Sequence, residues 1–487
     1  MKGKTASFRI GKVSAFRRSK VWYLCYYEGG RRRRPRVGPD RDLARQMAAQ
    51  INGQLEVGAP AALSYEPISV PELRQRWLDH HEHVRRSSVA TIKRYRVATE
   101  HLLTFVAKNC SVRHACEFHA RQAMEFVCYL RTIKISPNGH PKARKRPMLD
   151  TGIKYILETC CSLFNYAHRN RHLSPYAENP FRTIEVSRMP VEDFRPVVVF
   201  TEDQECKFLK NCDDWQFPLF LTLLLTGLRP GELCHLLLPE DLDLETGSLY
   251  VRNKGQLGWQ IKTRNQRDIP LVPILSKILR HVLAGRSTGP VFRQRRFSRG
   301  FASIISNASL PSLQRELAVR IRRREASSDS ALTRTDRMEV STTIWRDLEA
   351  LENDLVRREF MRVTSGIGMD EFTAPKTFRH TFATILQDAN VDPLIRNELM
   401  GHVPAGLSTP GGGLAMTAVY THTRPETKRR QLEDALANRA AVHYAEQWLK
   451  IRCPASPGLA EGENLPAAVP GASAGAIGTM GHDGDGP

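Results

Sequence analysis

Phe217-Pro-Leu-Phe-Leu-Thr-Leu-Leu-Leu225, followed by Thr226-Gly-Leu-Arg-Pro-Gly-Glu-Leu233, is the stretch on which the fold turns. The almost wholly apolar run predicts a helix buried on every side. Gly227 stops it, because glycine takes the left-handed conformation that commonly follows a helix. Pro230 is placed to open the next helix, where its fixed φ fits and its missing N–H is not needed. Arg229 therefore falls in a tight inter-helix turn beside buried residues. A guanidinium held there presents a planar fork to a carboxylate or a phosphate. Glu232, three residues on, is placed to brace it. These residues alone leave two readings open, a structural Arg–Glu pair and an anion-gripping arginine.

Further along the chain, Ser248-Leu-Tyr-Val-Arg252 and Gln260-Ile-Lys-Thr263 are predicted strands of a hairpin, closed by Asp268-Ile-Pro-Leu271. Lys262 falls near its second turn, where a lone lysine is ordinarily solvated. Then come Thr373-Ala-Pro-Lys-Thr-Phe-Arg-His-Thr-Phe-Ala-Thr384, Leu399-Met-Gly-His402 and Thr417-Ala-Val-Tyr-Thr-His-Thr423. Between the hairpin and Arg379, residues 293–346 hold Arg293, Arg295, Arg296, Arg299, Arg320, Arg322, Arg323 and Arg324. That insert is expected to add helix and contacts to backbone phosphate, with a solvated insertion as the alternative.

Composition narrows the partner. The 487 residues carry a net charge of +21, which asks for an anionic partner. Nucleic acid is the first candidate and an anionic membrane surface the second. No apolar run approaches the length of a membrane span, and the start, MKGKTASFRIGK, has no apolar signal core. The expected location is cytoplasmic, on the nucleoid, with no membrane. None of the ten cysteines forms a CxxC pair, so reduced thiols are expected and no metal site is predicted.

Towards the N-terminus, positions 1–50 hold 14 Lys/Arg against 3 Asp/Glu. Residues 1–58 are predicted as a small sheet plus one helix. A strand rich in β-formers spans Lys20 to Tyr27, Glu28-Gly-Gly30 turns, Arg31–Val37 returns, and Asp40 caps a helix from Arg41 to about Leu55. Arg31, Arg32, Arg33, Arg34 and Arg36 lie on or beside the return strand, and basic strands can enter a major groove; a solvated charge run is the alternative. Residues 59–66 are a linker. Residues 66–185 are helical, and Ser69-Val-Pro-Glu72 has capping-box form. Val89, Ile92 and Tyr95 face inward, leaving Lys93, Arg94 and Arg96 for another surface. A basic loop, Pro137 to Pro147, holds Lys142, Arg144, Lys145 and Arg146. Residues 185–199 form an irregular connector, and 453–487 a Gly/Ala/Pro-rich tail expected to be disordered.

In order and spacing, TGLRPGEL, IKTRNQRDIPL, TFRHTFAT, LMGH and AVYTHT resemble the tyrosine recombinases, the phage integrase family. The resemblance implies a mainly α fold with small β-sheets in several domains. These are an arm-type DNA-binding domain at 1–58, a helical core-binding (SAM-like) domain at 66–185 and a mixed α/β catalytic domain at 200–450. It implies site-specific cleavage and rejoining of double-stranded DNA through a 3′-phosphotyrosyl link, without cofactor or metal, by a homotetramer. By position, Tyr420 matches the nucleophile, Arg229 and Arg379 the arginines gripping the phosphate, and Lys262 the general acid. His402 matches a phosphate-bonding residue and Glu232 an acidic support. The arm-like N-terminus favours integration of a phage or other mobile element. The alternatives are an architectural or regulatory DNA-binding protein with a weakened site, and a relaxing topoisomerase.

Three features depart from the family pattern. Lys376 stands where the family has histidine, and a charged lysine cannot take a proton. It is read as an active substitute, with an alkaline-shifted rate. His402 and Tyr420 are 18 residues apart, about twice the usual gap, across a Gly/Pro-rich loop that leaves cis and trans cleavage open. The insert is the third. Tyr444, in a helical stretch, is read as a packing residue rather than the nucleophile, and the long helical segment Pro425 to Leu449 as docking on a neighbour or capping its own core.

Overall fold

The computed structural model describes residues 7–59, 61, 65–109, 111–136, 143–174, 177–192, 196–298, 304–305, 308–328, 331–402 and 423–453. Tyr420, Lys142, Arg299, the Gly/Pro-rich stretch after His402 and the tail beyond Cys453 lie outside them. The chain separates into two compact units: residues up to Val197 together with Ala318–Thr342, and Val198–Leu317 together with the residues from Thr343 onward.

The first unit contains two hydrophobic cores. The N-terminal one lies between a five-stranded antiparallel sheet and one helix. Its central strand, Val21–Glu28, alternates, sending Trp22, Leu24 and Tyr26 inward onto Ala44, Ala48 and Ile51 of helix Arg41–Glu56. Asp40 caps that helix by accepting from the N–H groups of Asp42 and Leu43. Two strands escaped the sequence reading, Ser7–Ile10 and Val13–Arg18, whose outward faces carry Ser7 and Arg9, and Ser14, Phe16 and Arg18. The return from Gly30 is two short strands, Arg31–Arg33 and Arg36–Gly38, rather than one. Pro35 breaks it, having no N–H to offer a ladder, while its carbonyl still accepts from Leu24 N.

The second core of this unit is all helical. Helices Val70–Asp79, Val89–Asn109, Ala120–Thr132 and Asp150–Arg169 enclose Trp77, Leu102, Phe105, Phe126 and Phe164. Ser69 Oγ accepts from Glu72 N, but the Glu72 carboxylate turns to Arg76 at 2.7 Å, so half the capping box forms. In the basic loop, Arg146–Pro147 pairs with Lys134–Ile135 as a minimal ladder. The insert supplies the short helix Arg295–Ser298 and two long ones, Leu310–Ala326 and Arg334–Asp347. Arg334 of the last reaches Glu82, bonding its carbonyl at 3.2 Å and pairing with its carboxylate at 3.7 Å.

In the second unit, helix Gln216–Thr226 has all eleven residues buried and forms the centre of the core. It packs against helix Lys376–Asp388 and helix Pro273–Leu283. The hairpin differs from its prediction. Ser248–Val251 pairs with Arg267–Pro270, in register Leu249 to Ile269, and Gln260–Thr263 forms no strand. That segment belongs to the connection. Ile261 is pulled into the core, and Asn253 Oδ1 accepts from Ile261 N at 2.9 Å, which spends the backbone group a ladder would need.

The C-terminal segment is two helices, Pro425–Leu436 and Ala440–Arg452. The break comes where Ala440 N–H donates to Glu202 Oε1 and Arg439 pairs with Glu205 at 2.5 Å. Leu432, Leu436, Ala441 and Ala445 are buried in this unit's own core, with Trp448 stacked on Phe217 at 4.6 Å. Tyr444 packs edge-on to Phe217 at 5.5 Å.

Candidate catalytic site

The end of helix Gln216–Thr226 builds one wall of the site. Gly227 sits at φ +61°, and a side chain there would meet the Phe382 ring. The chain then turns so that Arg229 precedes helix Pro230–Leu233. Glu232 closes this turn: it accepts from Arg229 N at 2.9 Å and Arg229 Nη1 at 2.7 Å. The Arg–Glu pair is therefore real, yet the Arg229 side chain remains 21% exposed while Glu232 is buried. An arginine braced from behind still has donors to offer outward.

A third residue, which the sequence reading missed, completes this support. Arg267, on strand Arg267–Pro270, is buried and forks onto the same carboxylate, with Nη2 to Glu232 Oε2 at 2.6 Å and Nη1 to Oε1 at 3.3 Å. Its Nε donates to Leu399 O at 2.8 Å. Burial pushes the Glu232 carboxyl upward, but the Arg267 and Arg229 bonds and charges outweigh it and hold the group below the usual carboxylate range. The available signal was a charged residue on the inward face of a strand beside Ile269.

Arg379 enters from helix Lys376–Asp388, one turn in, and is 4% exposed. Nη1 donates to Gly227 O at 2.7 Å, and Nη2 to Met400 O and to His402 Nε2, the latter at 3.1 Å. Desolvation, then the neighbouring Arg229 charge, lowers its guanidinium to about 9. A guanidinium has no acceptor, so His402 Nε2 must accept and the ring proton lies on Nδ1. Burial and the Arg379 and Arg229 charges push the His402 imidazole below its ordinary value, in keeping with that neutral form. Gly401, at φ +61°, lets the chain pass Arg267, whose Nη1 lies 2.9 Å from where a Cβ would stand.

Arg229, Glu232, Arg379 and His402 thus converge. The two lysines stand at exposed positions. Lys262 lies in the turn after Ile261, and its neighbour Thr263 donates to Gly401 O at 3.4 Å. The hairpin's other lysine, Lys254, is buried and paired with Asp241 at 2.6 Å, which leaves Lys262 as the one facing solvent. Lys376 is the first residue of its helix. His235 anchors the hairpin side: its ring donates to Gly231 O at 2.7 Å and stacks on Trp259 at 4.7 Å. Among the described residues, no group of three His, Cys, Asp or Glu is arranged to hold a metal. No described helix is long and apolar enough to cross a membrane.

Residues 199–427 match the phage integrase family. This stretch is a phage integrase family domain. Tyrosine recombinase XerC of Thermodesulfovibrio yellowstonii is 26% identical over 278 residues, spanning 56% of this chain and 71% of that protein. Among solved structures, Tn1549 transposon integrase in complex with a circular intermediate DNA is 19% identical, covering 75% of this chain and 99% of that one, at a TM-score of 0.46. A lambda integrase dimer bound to a COC′ core site is 14% identical, covering 84% and 98%, at 0.45.

Of the chain's remaining basic candidates, Arg31, Arg34, Arg36, Lys93, Arg94, Arg96 and Arg144 are exposed. Arg33 leans on Glu28 at 3.6 Å and Arg32 Nε donates to Cys25 Sγ at 3.2 Å, so the arginine run is not without partners. Arg94 lies over the Tyr155 ring at 4.1 Å. Lys93 is 4.0 Å from Glu339.

Proposed function

We propose that this chain is a site-specific DNA recombinase that cleaves and rejoins strands through a 3′-phosphotyrosyl link at Tyr420, integrating a phage or other mobile element. The observation that carries the reading is the convergence of Arg229, Arg379 and His402 on one braced site within a phage integrase family domain. A phosphodiester is anionic and gathers further charge on its oxygens during attack. Arg229 and Arg379 supply fixed donors for that charge, each worth roughly 3 kcal/mol by analogy with oxyanion holes. His402 adds its Nδ1–H.

Tyr420 Oη attacks phosphorus, the P–O5′ bond breaks, and the leaving oxygen takes a proton from Lys262. Free tyrosine has a pKa of about 10, so its proton must be removed or its phenolate stabilised by nearby cations. In this reading Lys376 serves as the neutral amine, which takes the Tyr420 proton as the phenolate attacks; hence an alkaline-shifted rate is expected. The ester retains the energy of the DNA link, and a 5′-hydroxyl from another strand reverses the reaction and frees Tyr420. The expected assembly is four copies on two duplexes, in the nucleoid-associated cytoplasm. The basic arm and the exposed residues of the helical domain supply contacts to backbone phosphate.

The test is adduct trapping on nicked duplexes cut from the DNA that flanks the coding sequence. The reading expects a covalent complex whose modified peptide contains Tyr420, abolished by Tyr420→Phe. An adduct on Tyr444 overturns the assignment. DNA binding without an adduct at any pH favours the architectural alternative, and supercoil relaxation without site preference favours a topoisomerase.

A further inference from the structure

Arg267 joins three parts of the site that are far apart in sequence. It forks onto both oxygens of Glu232, which follows Arg229, and it bonds the carbonyl of Leu399, three residues before His402. Gly401 is packed so closely on its guanidinium that a Cβ would have to displace it. Glu232 serves two cations at once, and only Arg229 is partly open to solvent. The sharing sets how strongly Glu232 holds Arg229. With Arg267 in place, most of the carboxylate's charge is met from behind, and Arg229 spends one Nη1 donor on it. Without Arg267, the whole negative charge falls on Arg229, whose fork is then drawn onto the carboxylate and away from a bound phosphate.

We propose that Arg267 is a positioning residue for strand cleavage: by neutralising Glu232 it keeps the Arg229 fork directed outward, and by holding Leu399 O it fixes the backbone that carries His402. This rests on the reading of Arg229 as a phosphate-gripping residue. The expected signature is a loss in the chemical step and not in DNA affinity, with a specific dependence on Glu232. A merely structural pair would show no such dependence, because removing the second partner would then add to the damage or leave it unchanged.

The experiment uses the full chain and the nicked duplex on which the wild type forms its adduct. Single-turnover adduct rates and DNA affinity are measured for Arg267→Met, Arg267→Lys, Glu232→Gln and the double variant Arg267→Met/Glu232→Gln. Arg267→Met is expected to slow adduct formation roughly 100-fold, as for loss of one preorganised donor, with affinity nearly unchanged. Arg267→Lys should be intermediate, since lysine keeps the charge but not the fork. The double variant should be faster than Arg267→Met alone, because the uncharged amide that replaces the Glu232 carboxylate no longer captures Arg229. If Arg267→Met does not fold, Arg267→Lys with and without Glu232→Gln carries the same comparison. A double variant as slow as or slower than the single one overturns the proposal, as does a wild-type rate in either Arg267 variant. Absence of an adduct in the wild type is a separate outcome, and it overturns the underlying reading instead.

Discussion

Two residues carry expectations about pH, Lys376 for the rate and His235 for stability. Lys376→His should move the pH–rate profile of adduct formation toward neutrality, since imidazole accepts a proton near pH 7. Lys376→Ala should lower the rate by about 100-fold or more, the range for a lost acid–base group. An unchanged rate and profile in Lys376→Ala would remove that residue from the mechanism. His235 bears on stability. Burial lowers its imidazole from 6.5 to about 4. Between those values the unfolded chain binds a proton that the folded chain does not. The His235 contribution is therefore present above pH 6.5 and is lost as pH falls toward 4, by roughly 3 kcal/mol. Denaturant unfolding at pH 7 and pH 4.5 should show a smaller difference for His235→Gln than for wild type. At this scale the sequence was partly legible. Arg229 was readable because Gly227 and Pro230 mark the turn that holds it, whereas Arg379 and His402 were picked out through the resemblance to the tyrosine recombinases. Arg267 was not, because a charged residue in a short strand reads as solvent-facing until its buried partners are known.

The insert shows what separates one element's residues from another's at equal charge. Arg293 pairs with Glu349, and Arg295 with Asp213 at 2.5 Å and Glu359 at 3.1 Å, so both serve the fold. Arg322 and Arg323 are exposed on helix Leu310–Ala326, away from the face that buries Leu313 and Leu317. Replacing Arg322 and Arg323 together by alanine should reduce the slope of log affinity against log salt by about 2, at about 0.9 per phosphate contact. Arg295→Ala should leave the slope alone and lower the melting temperature. Fluorescence anisotropy on duplex DNA across a salt series checks both, and an unchanged slope in the double variant would mark the helix as merely solvated. Sequence alone does not sort these arginines, because their partners lie tens of residues away. The same limit explains Gln260–Thr263, where alternation suggested a strand but the ladder partner of Ser248–Val251 lay further on. Helix Gln216–Thr226 needed no partner to be read, since its apolar run and its glycine stop are local.

For the whole molecule, the surplus of +21 is unevenly spread, and the first 50 residues carry about half of it. Their core, Trp22 and Leu24 against Ala48 and Ile51, is closed by Ala61 and shares no residue with the helical core beyond it. Deleting residues 1–64 should therefore leave the remaining unfolding transition in place while weakening DNA binding and flattening its salt dependence. Scanning calorimetry and the same anisotropy series measure both, and a lost transition would show that the arm is needed for folding. Arg379 has a further consequence for how such experiments are controlled. Its two nitrogens take up Gly227 O and Met400 O, the carbonyls at the C-terminal ends of two different helices. It therefore acts as a shared cap, adding a donor to each of two helix ends. An Arg379 variant is thus a poor choice of inert enzyme, because any lost activity is mixed with loosened helix ends.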